Sequence, residues 1–176
     1  CGLLSMVNDG AQENTSELRK LKVLCLHGYR MNGGILRDKS GGFRKPFKKN
    51  RFEMVYLDGP FACTNDEESS DTVDANLTQR AWWRAGDKAY LGWKESMKIL
   101  CDVWDCEQFD GILGFSQGAA AAAMLCTERR PKFGIFVSGF IPRDAEAAAM
   151  LLPGLQGIRS VHVYGLSDNI VPPEKS

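Results

Sequence analysis

An α/β fold with a mostly parallel sheet covered on both faces is what this 176-residue chain predicts, on three observations. Strand-like and helix-like segments alternate along its length, as in successive strand-helix-strand units. The strand-like segments, Leu21–Leu26 and Phe109–Phe115 among them, are largely apolar runs, which suits strands buried on both sides. The pentapeptide Gly114, Phe115, Ser116, Gln117, Gly118 joins one such run directly to an alanine-rich segment, a strand-to-helix turn with a serine at its apex.

The elements follow in order. Residues 1–20 are a polar lead-in, and residues 21–176 form one domain large enough to bury a core. Leu21–Leu26 is the first strand, ending where His27 and Gly28 turn the chain. Met31–Lys49 is basic and interrupted by glycine, and is expected to hold one helix. Phe52–Leu57 is the second strand, closed by Asp58, Gly59 and Pro60. Thr64–Thr78 is polar and acidic without a sustained period and reads as a surface insertion, with a lid as its functional alternative. After Trp82 and Trp83, Tyr90–Val103 carries apolar residues at helical spacing. Phe109–Phe115 is a strand, and Gln117–Cys126 is a helix whose five consecutive alanines allow close approach to the sheet. Phe133–Ser138 is a further strand, Asp144–Leu152 a helix capped by Asp144, and Ile158–Tyr164 the last strand.

Composition narrows the function. Lys and Arg number 22 against 22 Asp and Glu, with no basic stripe interleaved with aromatics, which argues against a nucleic-acid partner and for a small-molecule substrate. No apolar run approaches the length of a membrane span. The six cysteines contain no CxxC pair, and several sit in apolar patterns where a reduced thiol packs as a small hydrophobe, so a cytoplasmic, or else nuclear, setting is expected. The Cys101 and Cys106 spacing is not a metal signature, and neither metal nor cofactor is expected.

The serine turn carries the chemistry. A serine on such an elbow is a nucleophile once a base takes its proton, and the oxyanion that forms needs fixed donors. Ser116 is therefore the expected nucleophile, and the backbone N–H of Gln117 one oxyanion donor, with the second coming from the loop after the first strand. Asp168, just past the last strand, stands where a triad acid would orient an imidazole, and Asp144 is the fallback, although a helix cap explains it more simply. His27 and His162 both precede that acid, so neither fits the chain order Ser, Asp, His. His27 is expected to hydrogen-bond structurally and His162 to pack within its strand. Phe61, Trp82, Trp83, Phe140 and Ile141 are candidates for an apolar acyl pocket, with the core as the competing place for the tryptophans.

Six segments occur in a specific order: Lys22–Tyr29 (KVLCLHGY), Tyr56–Pro60 (YLDGP), Trp82–Trp83, Phe109–Ala120 (FDGILGFSQGAA), Val137–Phe140 (VSGF) and Val163–Val171 (VYGLSDNIV). With them the chain, from about Leu21 to Pro172, resembles the FSH family of serine hydrolases within the α/β-hydrolase fold. The resemblance implies a three-layer α/β-hydrolase fold and hydrolysis of carboxylic esters or thioesters, often with acyl chains of some length. It also implies Tyr29 as the second backbone donor, and a catalytic histidine one strand after the acid. On this reading the last strand, loop and helix, roughly 30 residues or more with that histidine, lie beyond Ser176. The chain as written is then expected to turn over esters poorly, because losing one member of a triad costs on the order of 10⁶ in kcat. One alternative is a non-catalytic binding protein, disfavoured because a strained serine turn has a stability cost. Another is an acyl-protein-thioesterase-like or dienelactone-hydrolase-like enzyme, which would share the elbow and triad order but not the companion segments.

Overall fold

The computed structural model describes residues 19–47, 51–63, 78–86 and 89–172. In chain order its elements are β1 (Leu21–Leu26), α1 (Gly33–Lys39), α2 (Gly41–Phe47), β2 (Phe52–Leu57), β3 (Phe61–Ala62), β4 (Arg80–Ala81), β5 (Arg84–Ala85) and β6 (Tyr90–Leu91). They continue with α3 (Trp93–Glu107), β7 (Gly111–Phe115), α4 (Gln117–Glu128), β8 (Phe133–Val137), α5 (Ala145–Gly154) and β9 (Arg159–Val163). The expected lead-in before residue 19 and nearly all of the expected insertion, residues 64–77, lie outside the described residues.

Five strands make one parallel sheet in the order β2-β1-β7-β8-β9. Alternation along β1 divides the core: Val23 and Cys25 join Met31, Leu36 and Leu113 on the α1 side, while Leu24 and Leu26 join α3, α4 and α5 on the other. Helices therefore cover both faces, and the α/β expectation is met. The chain runs outward from β1 to β2 and then returns to β7 on β1's other side. That reversal opens a crevice at the carboxyl ends of β1 and β7, where open α/β sheets bind ligands.

The helix that begins at this crevice is α4, and it is apolar on all sides. Ala119–Ala123 are all buried, and α4 packs against β1, β7, β8, α3 and α5. Alanine favours the helix intrinsically and lets it lie close to the strands. The contact is tightest at Gly118, where an added Cβ would lie 2.2 Å from the carbonyl oxygen of Leu26 and 2.4 Å from that of His27. Backbone cannot yield as a flexible side chain can, so Gly118→Ala is expected to destabilise the chain by about 3 kcal/mol or more. A urea midpoint within error of wild type would overturn this.

Two boundaries depart from expectation. Met31–Lys49 holds two short helices, because α1 ends at Ser40, whose N–H bonds the Leu36 carbonyl and whose hydroxyl bonds the Arg37 carbonyl. Tyr90 and Leu91 belong to a two-residue strand paired with β5, because Gly92, at φ 86°, turns the chain before α3 starts. At the far edge of the sheet, all five residues of β9 are exposed. On the α1 side an apolar groove of about 320 Å³ is lined by Leu21, Val23, Phe52, Met54, Leu113 and Val161 among others.

Candidate active site

At the end of β7 the backbone of Ser116 takes φ 52° and ψ −116°, a conformation that a residue with a Cβ rarely adopts. Its surroundings enforce it. The Ser116 N–H donates to the Val137 carbonyl at 2.8 Å, and the Ser116 carbonyl accepts from Ala119 and Ala120 at 2.9 and 3.2 Å. At Gly114 an added Cβ would come within 2.4 Å of the Ala119 Cα, so this glycine is what lets the turn close. The serine hydroxyl is not used to cap α4. Gln117 is the first residue of the helix, so its N–H has no partner within the helix.

The Gln117 side chain has a task not apparent from the sequence. Its Oε1 accepts from the Trp82 N–H at 2.9 Å and its Nε2 donates to the Trp83 carbonyl at 3.0 Å, both buried. The elbow is thereby tied to the tryptophan pair. Trp82 is fully buried, its Nε1 donates to the His27 carbonyl at 2.8 Å, and its own carbonyl accepts from the Ser96 hydroxyl.

His27 has no free nitrogen. Nδ1 donates to the Gly28 carbonyl and Nε2 accepts from the Gly59 N–H, each at 2.8 Å, so this ring serves structure and not as a base. His162 stacks on Phe136 with ring centroids 5.0 Å apart. Neither histidine lines the pocket that holds Ser116. Burial lowers the His27 pKa from its ordinary 6.5. Below about pH 6.5 the unfolded chain then binds a proton that the native chain still excludes, so stability falls as pH drops through that window. Melting temperature is expected to decline from pH 7 toward pH 5.5, and His27→Gln, although less stable throughout, should show a shallower decline. Parallel pH profiles would refute the assignment.

A pocket of about 700 Å³ opens at the crevice. It gathers Ser116, Gln117 and Tyr29 with Trp83, Phe140 and Ile141, six of the residues the sequence singled out. Two others are corrected. Trp82 belongs to the core beneath the elbow, held there by its three hydrogen bonds. Phe61 lies on β3, where its ring covers Gly92 and the Arg84 guanidinium sits 5.5 Å from its centroid, away from the pocket wall. The structure adds Ala85, Tyr90, Arg143, Ile170 and Val171 to the lining.

Asp168 lies in the turn after β9. Its Oδ1 accepts from the N–H groups of Ile170 and Val171, each at 2.9 Å, and these bonds, with a hydrogen bond from the Ser138 hydroxyl, hold the carboxyl below the usual range. Ser138 sits at φ 46° at the end of β8, its N–H on the Val163 carbonyl at 2.7 Å. Asp168 is not itself in the pocket wall, but Ile170 and Val171, which it orders, are. Asp144 caps α5 through the N–H groups of Glu146 and Ala147 and also accepts from Tyr90, which leaves it a structural part.

A family model described as "Serine hydrolase (FSH1)" matches residues 15–176. Among curated relatives, Esterase OVCA2 of Danio rerio is 34% identical over 184 residues, covering 89% of this chain and 81% of that protein. Esterase AAEL000016 of Aedes aegypti is 34% identical over 174 residues, covering 89% of this chain but 62% of the relative, so the chain spans about six tenths of that insect protein's length. Among solved structures, SOBER1 of Arabidopsis thaliana superposes with a TM-score of 0.63 at 17% identity, covering 89% of this chain and 79% of that one. Esterase PE8 superposes at 0.58 and 22% identity, with coverage of 89% and 74%. At these identities the two structures speak to the fold, which is that of the α/β hydrolases.

Proposed function

Since the chain belongs to the FSH1 serine hydrolase family, we propose that it acts on small-molecule acyl esters or thioesters through Ser116. The observation that carries this reading is the pocket in which the strained, uncapped Ser116 meets Tyr29, Gln117 and an apolar wall. The Ser116 Oγ attacks the carbonyl carbon as a general base removes its proton. The oxyanion takes the N–H groups of Gln117 and Tyr29, and the acyl chain lies against Trp83, Phe140 and Ile141. Collapse expels the alcohol or thiol, which takes the proton from the base. Water, activated by the same base, then releases the acid and restores the serine.

The base in this reading is a histidine outside these 176 residues, oriented by Asp168. Two facts support that placement: neither histidine present lines the Ser116 pocket, and the insect relative is longer than this chain. A non-catalytic binding role is less well supported, because the Ser116 strain and the three backbone hydrogen bonds that hold it serve no evident binding purpose. The test uses the native full-length protein, treated with a fluorophosphonate and assayed on p-nitrophenyl esters of increasing acyl length. Labelling mapped to Ser116 together with ester turnover is the expected result; failure of both would overturn the reading.

A further inference from the structure

Among the described residues lining the pocket there is a single charged side chain, Arg143, and the chemistry proposed above does not use it. Arg143 and its neighbour Asp144 are both tied to Tyr90 of the pocket's aromatic wall. The Arg143 N–H donates to the Tyr90 Oη at 3.0 Å, and the Tyr90 N–H donates to the Asp144 Oδ2 at 3.0 Å. Asp144 in turn caps α5, and the Tyr90 ring stacks on Trp83 with centroids 5.1 Å apart and planes 18° apart. The guanidinium is exposed and has no carboxylate partner among the described residues. Among the described residues no Asp or Glu lines the pocket.

A mostly apolar pocket takes its specificity from the few polar groups placed in it, and a guanidinium pairs with carboxylate and phosphate through a planar fork of donors. We propose that Arg143 forms an anion subsite, so that the preferred substrate is an acyl ester or thioester carrying a carboxylate or phosphate away from the scissile carbonyl. The proposal rests on Ser116 being the nucleophile. It makes Arg143 a specificity-determining residue with no part in the bond-breaking steps.

The test compares two matched pairs with the native full-length enzyme: p-nitrophenyl butyrate against mono-p-nitrophenyl glutarate, and butyryl-pantetheine against butyryl-coenzyme A. In one pair the anionic member is expected to have the higher kcat/KM by about tenfold or more, the size of a charge-assisted hydrogen bond. Preference for the glutarate places the anion on the acyl part; preference for the coenzyme A thioester makes it a phosphate of the leaving group. Arg143→Gln should reduce that ratio by about tenfold, mainly through KM, and Arg143→Lys should retain part of it. A ratio near one in both wild-type pairs, or one that Arg143→Gln leaves unchanged because both members fall equally or not at all, overturns the subsite while Ser116-dependent hydrolysis stands. If no ester or thioester is hydrolysed, the hydrolase reading fails and the subsite fails with it.

Discussion

Ser116→Ala in the native full-length enzyme is expected to lower kcat on acyl esters by about 10⁶-fold, with fluorophosphonate labelling lost. The size of the loss follows from the unit character of a nucleophile and its base: with Oγ gone, only donor groups and binding remain, and these sustain about 10³- to 10⁴-fold over water. Folding should survive the change. The serine hydroxyl does not cap α4, and the bonds that hold the elbow, from Ser116 N–H to Val137 and from Ala119 and Ala120 to the Ser116 carbonyl, are all backbone. Melting temperature therefore separates the two explanations of an inactive variant. A Ser116→Ala protein that melts like wild type and still hydrolyses esters at a comparable rate would remove Ser116 from the mechanism.

The parts of this molecule that are local in the chain could be read from the chain. The apolar runs of β1, β7 and β8 declare buried strands, and the glycines at 114 and 118 declare the elbow because only a residue without a Cβ fits there. The parts set by contacts between distant residues could not. Trp82 and Trp83 are adjacent, chemically identical and both buried, yet of the two Trp83 alone lines the pocket. What separates them is the Gln117 side chain and the His27 carbonyl, 34 to 55 positions away. Tyr90 reads as helical by spacing, but its hydroxyl meets Arg143 and its N–H meets Asp144, each more than 50 positions on. Two-residue strands such as β3 to β6 are too short to impose any period on the sequence. The place of Phe61 is likewise set by the antiparallel pairing of β3 with β4 and by its contact with Gly92, neither of which leaves a period in the sequence.

Asp168→Asn is expected to cost about 10⁴-fold in kcat with little loss of stability, and it distinguishes the two roles this residue could have. As a turn residue, Asp168 acts through Oδ1, which accepts from Ile170 and Val171. Asparagine keeps an oxygen at that place, so an Asx-type turn survives the exchange. As a triad acid, Asp168 acts through its negative charge, which stabilises the imidazolium that forms as Ser116 loses its proton; asparagine removes that charge and favours the wrong tautomer. Activity close to wild type in Asp168→Asn would therefore leave only the turn role. Asp144 supplies the control. Its Oδ1 caps α5 and its Oδ2 accepts from Tyr90, so Asp144→Asn replaces one of two used acceptors with a donor. That variant should lower the melting temperature while its loss of kcat stays far below that of Asp168→Asn. If the two variants exchange behaviours, with Asp144→Asn inactive and Asp168→Asn active, the acid belongs on the loop after β8. The carboxyl of Asp168 is already held ionised by the backbone N–H groups of Val171 and Ile170 and by the Ser138 hydroxyl. The charge that a triad acid needs is thus present well below neutral pH, and the acid limb of the activity profile should report the base and not Asp168.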